Sequence, residues 1–263
     1  MLAWGLGYFG MPHILLRFMA IEDENKLKLS RRVASIWVVI SLSVAVVIGI
    51  IGRGISKAGK IPFLEGSASE TLIVKIADLL SSHGVLAALI AGVILAGILA
   101  STMSTSDSQL LAASSSVSEN ILKGFFKINI SEKMQIAIAR ISVVLISIVA
   151  AFIARNPDSS VFNIVSFAWA GFGAVFGPVV LFALFWRRSN MWGALAGMLS
   201  GGVMVFIWKY AIRPMGGLLD IYELLPAFIV ASLAIVIVSL LTKAPDKEVV
   251  EEFDAVAKGK VGR

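Results

Sequence analysis

Eight consecutive residues, Ser101–Ser108 (STMSTSDS), carry six hydroxyls and one carboxylate behind the apolar run GVLAALIAGVILAG. Ser101, Ser104, Thr105 and Ser108 fall at i, i+3, i+4 and i+7, a single helix face. Scattered Ser and Thr in a membrane helix bond their own i−4 carbonyls and need no further role. A whole face of hydroxyls, with the carbonyls they loosen, offers hard oxygen ligands to a small cation such as Na+. The same face would also serve as hydrogen-bond glue between helices, and the residues alone leave both readings open. Asp107 points elsewhere on this helix; a carboxylate at membrane depth is costly and should meet a wet cavity or a partner.

Two other segments interrupt apolar runs. In Trp4–Phe18 (WGLGYFGMPHILLRF), three Gly and Pro12 disfavour a regular helix, and Pro12 removes an amide donor. Broken backbone at membrane depth survives only where protein or a water-lined cavity satisfies its polar groups. Transporters hold substrate at such breaks, and Trp4 and Tyr8, one turn apart, could wall one side of a pocket. Equally, Trp4 and Tyr8 would suit an interfacial aromatic belt, with Gly-Pro as an ordinary kink. In Asn163–Arg188 (NIVSFAWAGFGAVFGPVVLFALFWRR), Gly171, Gly173 and Gly177–Pro178 predict a bend or a close contact. Trp169 and Phe172 there either line a cavity or pack a core.

These segments must be positioned by helices that cross a bilayer. Of the 263 residues 58% are hydrophobic and 15% charged, with mean hydropathy +0.90, against about 45–50% apolar and about 25% charged in a soluble domain. The composition is that of an integral membrane protein. No Cys is present, so disulfides, thiolate metal sites and cysteine nucleophiles are excluded, and two His poorly support a His-based metal site. No nucleophile–base pair stands out, and an enzyme is not expected.

A span needs about 20 mostly apolar residues. Val33–Gly52, Gly84 to about Glu119, Met134–Ala154, Ser159–Trp186, Ser189–Trp208 and Leu224–Thr242 qualify. Met1–Leu16 is too short to cross as a straight helix, lacks the features of a signal peptide, and reads as the second half of a span. Counting it as the first of seven segments, 16 of the 23 Lys and Arg fall on one side. The positive-inside rule makes that side cytoplasmic and the C-terminus internal. This asymmetry accounts for the net charge of +6 without nucleic acid as a partner.

The expected domains are a transmembrane region over 1–242 and a charged, mobile cytoplasmic tail over 243–263. The extracytoplasmic loop Arg53–His83 contains TLIVKIADLLSS, an amphipathic pattern that predicts a surface or capping helix. Gly193, Gly197 and Gly201 recur every four residues, and Ala170, Gly171, Gly173 and Gly177 cluster similarly, as close helix packing in lipid requires.

The motifs WGLGYFGMPHILLRFMA, AGILASTMSTSDSQLLAASSSVSE, SFAWAGFGAVFGPVVLF and WGALAGM, in this order, resemble the solute:sodium symporter family, most closely its proline-carrying branch. The resemblance covers nearly the whole chain apart from the tail. It implies an all-α integral membrane fold: the second five-helix repeat of the LeuT-like inverted-repeat transporter fold, followed by two peripheral helices. It implies sodium-coupled symport of a small solute, with L-proline as the first expectation, in the plasma membrane. Trp4, Tyr8 and Pro12 match positions of the substrate pocket. Ser104 and Thr105 match hydroxyl ligands of the sodium site, with the Ser101 carbonyl as a further ligand. Met11 departs from the pattern, standing where Gln is expected. The family completes both sites with an N-terminal half, so the chain is expected to need that missing half as a partner and not to transport alone. The alternatives are another solute, such as pantothenate or a different amino acid, and a non-transporting membrane sensor.

Overall fold

In a computed structural model of the chain, residues 2–128, 131–155 and 160–257 are described, and these are helical, with no strand among them. They divide into two compact units, Met1–Ala20 with Phe162–Arg263, and Ile21–Val161. Among the described residues, six helical stretches are long and apolar enough to cross a membrane: Leu27–Lys57, Val85–Phe125, Glu132–Ile153, Val161–Phe185, Met191–Met215 and Leu224–Leu241. Each overlaps one span expected from hydropathy.

The first unit begins with a 3-10 helix over Leu2–Gly10, an extended residue at Met11 (φ −85°, ψ 118°), and helix α1 over Pro12–Met19. The proline dictates this break. Its ring disfavours helical geometry at the preceding residue, and its fixed φ with no N–H suits the first helical position. Met11 is 3% exposed, so a buried thioether occupies the position where the family resemblance leads one to expect an amide.

In the second unit, α2 (Leu27–Lys57) leads to α3 (Leu72–Ser81), the helix expected from the amphipathic pattern. Gly52 lets α2 approach α3: a Cβ there would lie 2.6 Å from the Leu72 methyls. Next, α4 (Val85–Ser115) starts after Gly84, whose φ of +105° only glycine adopts easily. It continues as a π-helix over Ser116–Phe125, and α5 (Glu132–Ile153) packs against α4. Ser131 caps α5 by accepting the Met134 amide at 3.4 Å.

The first unit resumes at Phe162, within α6 (Val161–Phe185), and continues with α7 (Met191–Ile207), α8 (Leu224–Leu241) and α9 (Lys247–Ala257). Its core is Ala170 and Ala174 of α6, Val205 of α7, and Leu224 and Ala227 of α8, all at most 1% exposed. The glycine stripe of α7 faces α8. A Cβ on Gly193 would lie 1.9 Å from Ser239 Oγ, and one on Gly197 2.4 Å from Ile235 Cγ1. Gly201 meets the Ala174 carbonyl at 2.6 Å by the same construction. Close packing is thus what this stripe does, as small residues do where lipid supplies no hydrophobic drive.

Asn190 ties the ends of α7 and α8 together. Its Oδ1 accepts the Gly193 amide at 2.8 Å, capping α7, while its Nδ2 donates to Thr242 Oγ1 and the Lys243 carbonyl, each at 2.8 Å. Within the tail, Lys247–Ala257 forms α9, and Asp254 accepts a hydrogen bond from Arg187 Nη2 at 2.7 Å; residues 258–263 lie outside the described residues.

Candidate functional site

The sequence-predicted residues form two clusters, one in each unit. Trp4, Tyr8 and Pro12 belong to the first; Ser101, Ser104 and Thr105 belong to the second.

Trp4 is the centre of an aromatic stack. Its ring lies 5.3 Å from Trp169, 5.8 Å from Phe162 and 6.4 Å from Tyr222, in each case near parallel. Tyr8, 52% exposed, meets Trp169 edge-on at 4.9 Å. Such ring pairs each contribute about 0.5–1.5 kcal/mol beyond area burial. The Trp169 Nε1–H donates to the Trp4 carbonyl at 3.1 Å. Pro12 is exposed beyond the break, at the start of α1.

Glycines make this arrangement possible. A Cβ on Gly7 would lie 2.1 Å from Trp169 Nε1, and one on Gly10 2.8 Å from the Phe172 carbonyl. On the α6 side, a Cβ on Gly173 would lie 2.7 Å from the Gly7 Cα. The broken segment therefore lies with its backbone directly on α6. Of the two sequence readings of Trp169, packing is what the contacts display: it is partly buried against the core and touches the Trp4 and Tyr8 rings.

Sequence reasoning missed Phe162 and Tyr222. Tyr222 lies between α7 and α8, in IYELLP, where no periodicity marks it. Its hydroxyl donates to the Ser166 carbonyl at 2.6 Å. Burial pushes the Tyr222 phenol above its ordinary pKa range, and the neighbouring Glu223 carboxylate adds to the rise, so it remains a neutral donor at physiological pH. Glu223 itself is 2% exposed and takes a hydrogen bond from Arg213 Nη1 at 3.1 Å; Arg213 Nε also binds Asp220 at 2.9 Å. A buried carboxylate requires such pairing.

In the second cluster, Ser104 Oγ and Thr105 Oγ1 both donate to the Ser101 carbonyl, at 3.2 and 3.3 Å. Ser108 Oγ donates to the Ser104 carbonyl at 3.0 Å, and Thr102 Oγ1 to the Ile98 carbonyl at 2.9 Å. Three hard oxygens thus gather on one patch, and Ser101, Ser104 and Thr105 are all exposed. The donor chemistry suits an alkali cation, though three oxygens leave its shell incomplete. No group of three or more His, Cys, Asp or Glu is placed to hold a metal among the described residues. Asp107 is exposed on the same helix.

Comparison with known proteins gives these two clusters a context. The model of the sodium:solute symporter family matches residues 1–201. The chain is similar to a sodium/proline symporter of Haemophilus influenzae, 43% identical over 97% of this chain and 50% of the relative. It is also similar to the sodium/proline symporter of Escherichia coli, 40% identical over 96% of this chain and 49% of the relative. An osmoregulated proline transporter of Bacillus subtilis is 40% identical over 98% of this chain and 50% of the relative. These relatives are transporters rather than enzymes. The chain spans about half the length of the curated relatives it matches. No solved structure matches it significantly. With a family match over residues 1–201 and relatives at 40–43% identity along nearly its whole length, this chain belongs to the sodium:solute symporter family.

Proposed function

We propose that this chain takes part in sodium-coupled symport of L-proline by alternating access, as part of a complete carrier in the plasma membrane. The observation that carries this reading is the similarity, over 96–98% of the chain, to proteins named as proline carriers. The Trp4–Tyr8 wall over a broken helix supports it. Residues 1–185 correspond in this reading to the second five-helix repeat of the LeuT-like fold, with α7 and α8 peripheral and the C-terminus cytoplasmic, in keeping with the Lys and Arg asymmetry.

Proline's carboxylate and imino group sit against the irregular backbone of the broken segment, with Trp4 and Tyr8 enclosing the ring and Pro12 holding the break open. The positive end of α1 starts at this break, as half-helices in transporters face anionic substrate groups. Sodium binds Ser104 Oγ, Thr105 Oγ1 and the Ser101 carbonyl, and the partner half completes its shell. Ion binding shifts the carrier toward its outward-open, substrate-ready state by the difference in sodium affinity between the two states. Low internal sodium then releases ion and solute together.

The test is uptake of labelled proline by vesicles bearing the complete carrier, with an inward sodium gradient or with choline in its place. Accumulation should require sodium; equal accumulation in choline overturns the coupling. Competition by pantothenate and a panel of amino acids tests the solute, and a competitor stronger than proline displaces it from this reading.

A further inference from the structure

We infer that Trp169 of α6 is a positioning residue for solute binding: its indole fixes the spacing and tilt of the Trp4 and Tyr8 walls. The inference rests on Trp4 and Tyr8 being those walls. Three contacts carry it. The indole N–H donates to the Trp4 carbonyl at 3.1 Å, its face lies 5.3 Å from the Trp4 ring, and the Tyr8 ring meets it edge-on at 4.9 Å. One side chain thus engages two residues four positions apart on the same 3-10 segment.

The backbone it holds is weak by itself. A 3-10 turn has poorer hydrogen-bond geometry than an α-helix, and nine residues of it are more than such a helix usually sustains. An external donor to a carbonyl of that turn therefore has a larger effect on its conformation than it would on an α-helix. There is also no slack in the contact, because the indole occupies the space where a Gly7 Cβ would stand, 2.1 Å from Nε1. On its other side α6 is braced at Ser166, whose carbonyl accepts the Tyr222 hydroxyl at 2.6 Å while the Tyr222 ring stacks on Trp4. A residue that only filled the core would need the ring and not the N–H. Phenylalanine would serve equally well there.

That distinction supplies the experiment. In the complete carrier, Trp169→Phe keeps an aromatic ring and removes the donor, and Gly7→Ala keeps the donor and displaces the indole. Labelled proline uptake is measured across proline and sodium concentrations and normalised to carrier inserted in the membrane. Each variant should raise the proline KM about tenfold, the scale of one hydrogen bond to a positioned carbonyl, with maximal rate and half-saturating sodium within twofold of wild type. A proline KM unchanged in both variants, or a fall in maximal rate alone, overturns the inference and returns Trp169 to packing. If Trp169→Phe fails to insert, Gly7→Ala decides by the same readout. A wild-type carrier that ignores proline overturns the proline reading separately, and the KM comparison is then made with the solute it does take up.

Discussion

Two helices of this molecule carry small residues at three- or four-residue spacing, and they use them in opposite ways. On α7, Gly193, Gly197 and Gly201 are buried against neighbouring helices, and a Cβ on any of them would lie within 2.6 Å of another atom. On α4, Ser101, Ser104 and Thr105 are exposed, and the hydroxyls of Ser104 and Thr105 turn to their own helix. Spacing alone does not separate these cases. Glycine brings backbones together and so is consumed by packing. A hydroxyl satisfied by its own carbonyl leaves both oxygens with lone pairs for something else.

The sharpest way to break this contrast is steric. Gly193→Val should prevent α7 from seating on α8, because a Cβ alone would lie 1.9 Å from Ser239 Oγ and 2.9 Å from the Ile235 carbonyl. The expected loss is about 3 kcal/mol or more, read as a fall in thermal midpoint of the carrier purified in detergent. An unchanged midpoint would mean that the stripe does not govern packing.

On the hydroxyl stripe the expected effect is smaller and of another kind. Ser104→Ala with Thr105→Ala removes two oxygens and should raise half-saturating sodium roughly thirtyfold, about 2 kcal/mol of ion binding. The sodium-free thermal midpoint should stay near that of wild type. If stability falls while sodium dependence holds, these hydroxyls are helix glue rather than ligands.

Charged contacts of the first unit come next. Glu223→Gln leaves Arg213 with a weaker acceptor at a position 2% exposed, at a cost of about 1.5 kcal/mol in the same denaturation assay. Asp254→Asn, which breaks the Arg187 pair, should cost below about 0.5 kcal/mol, because the Arg187 side chain is 61% exposed and solvent screens the pair. A large effect there would show that this pair holds α9 more firmly than its exposure allows.

Much of the architecture was legible in the residues because its causes are local. Hydropathy over 20 residues marks a span whichever helix lies beside it, and Pro12 breaks the backbone at Met11 through sterics with its neighbour. The hydroxyl face of α4 follows from helical spacing. Of the candidate site, Trp4 and Tyr8 could be singled out because two polar aromatics interrupt one short Gly-rich segment, a feature confined to neighbouring residues. Phe162 and Tyr222 were not, since no pattern around either points to Trp4, more than 150 residues away in the chain. The dual reading of Trp169 could not be resolved either, because whether an indole lines a cavity or packs a core depends on what stands opposite it.

By itself, then, the amino-acid sequence determined the bilayer as solvent, the order of the helices, the broken first segment and the oxygen-rich face of α4. Each of these is written in residues within a turn or a span of one another. Only the tertiary structure decided that the α7 glycines meet α8, that the Tyr222 hydroxyl reaches the Ser166 carbonyl, and that Trp169 reaches the Trp4 carbonyl. Those contacts join positions 56 to 165 residues apart, or, between α7 and α8, helices whose register the chain does not spell out. Their geometry is set by how closely two helices approach, which depends on every side chain between them at once.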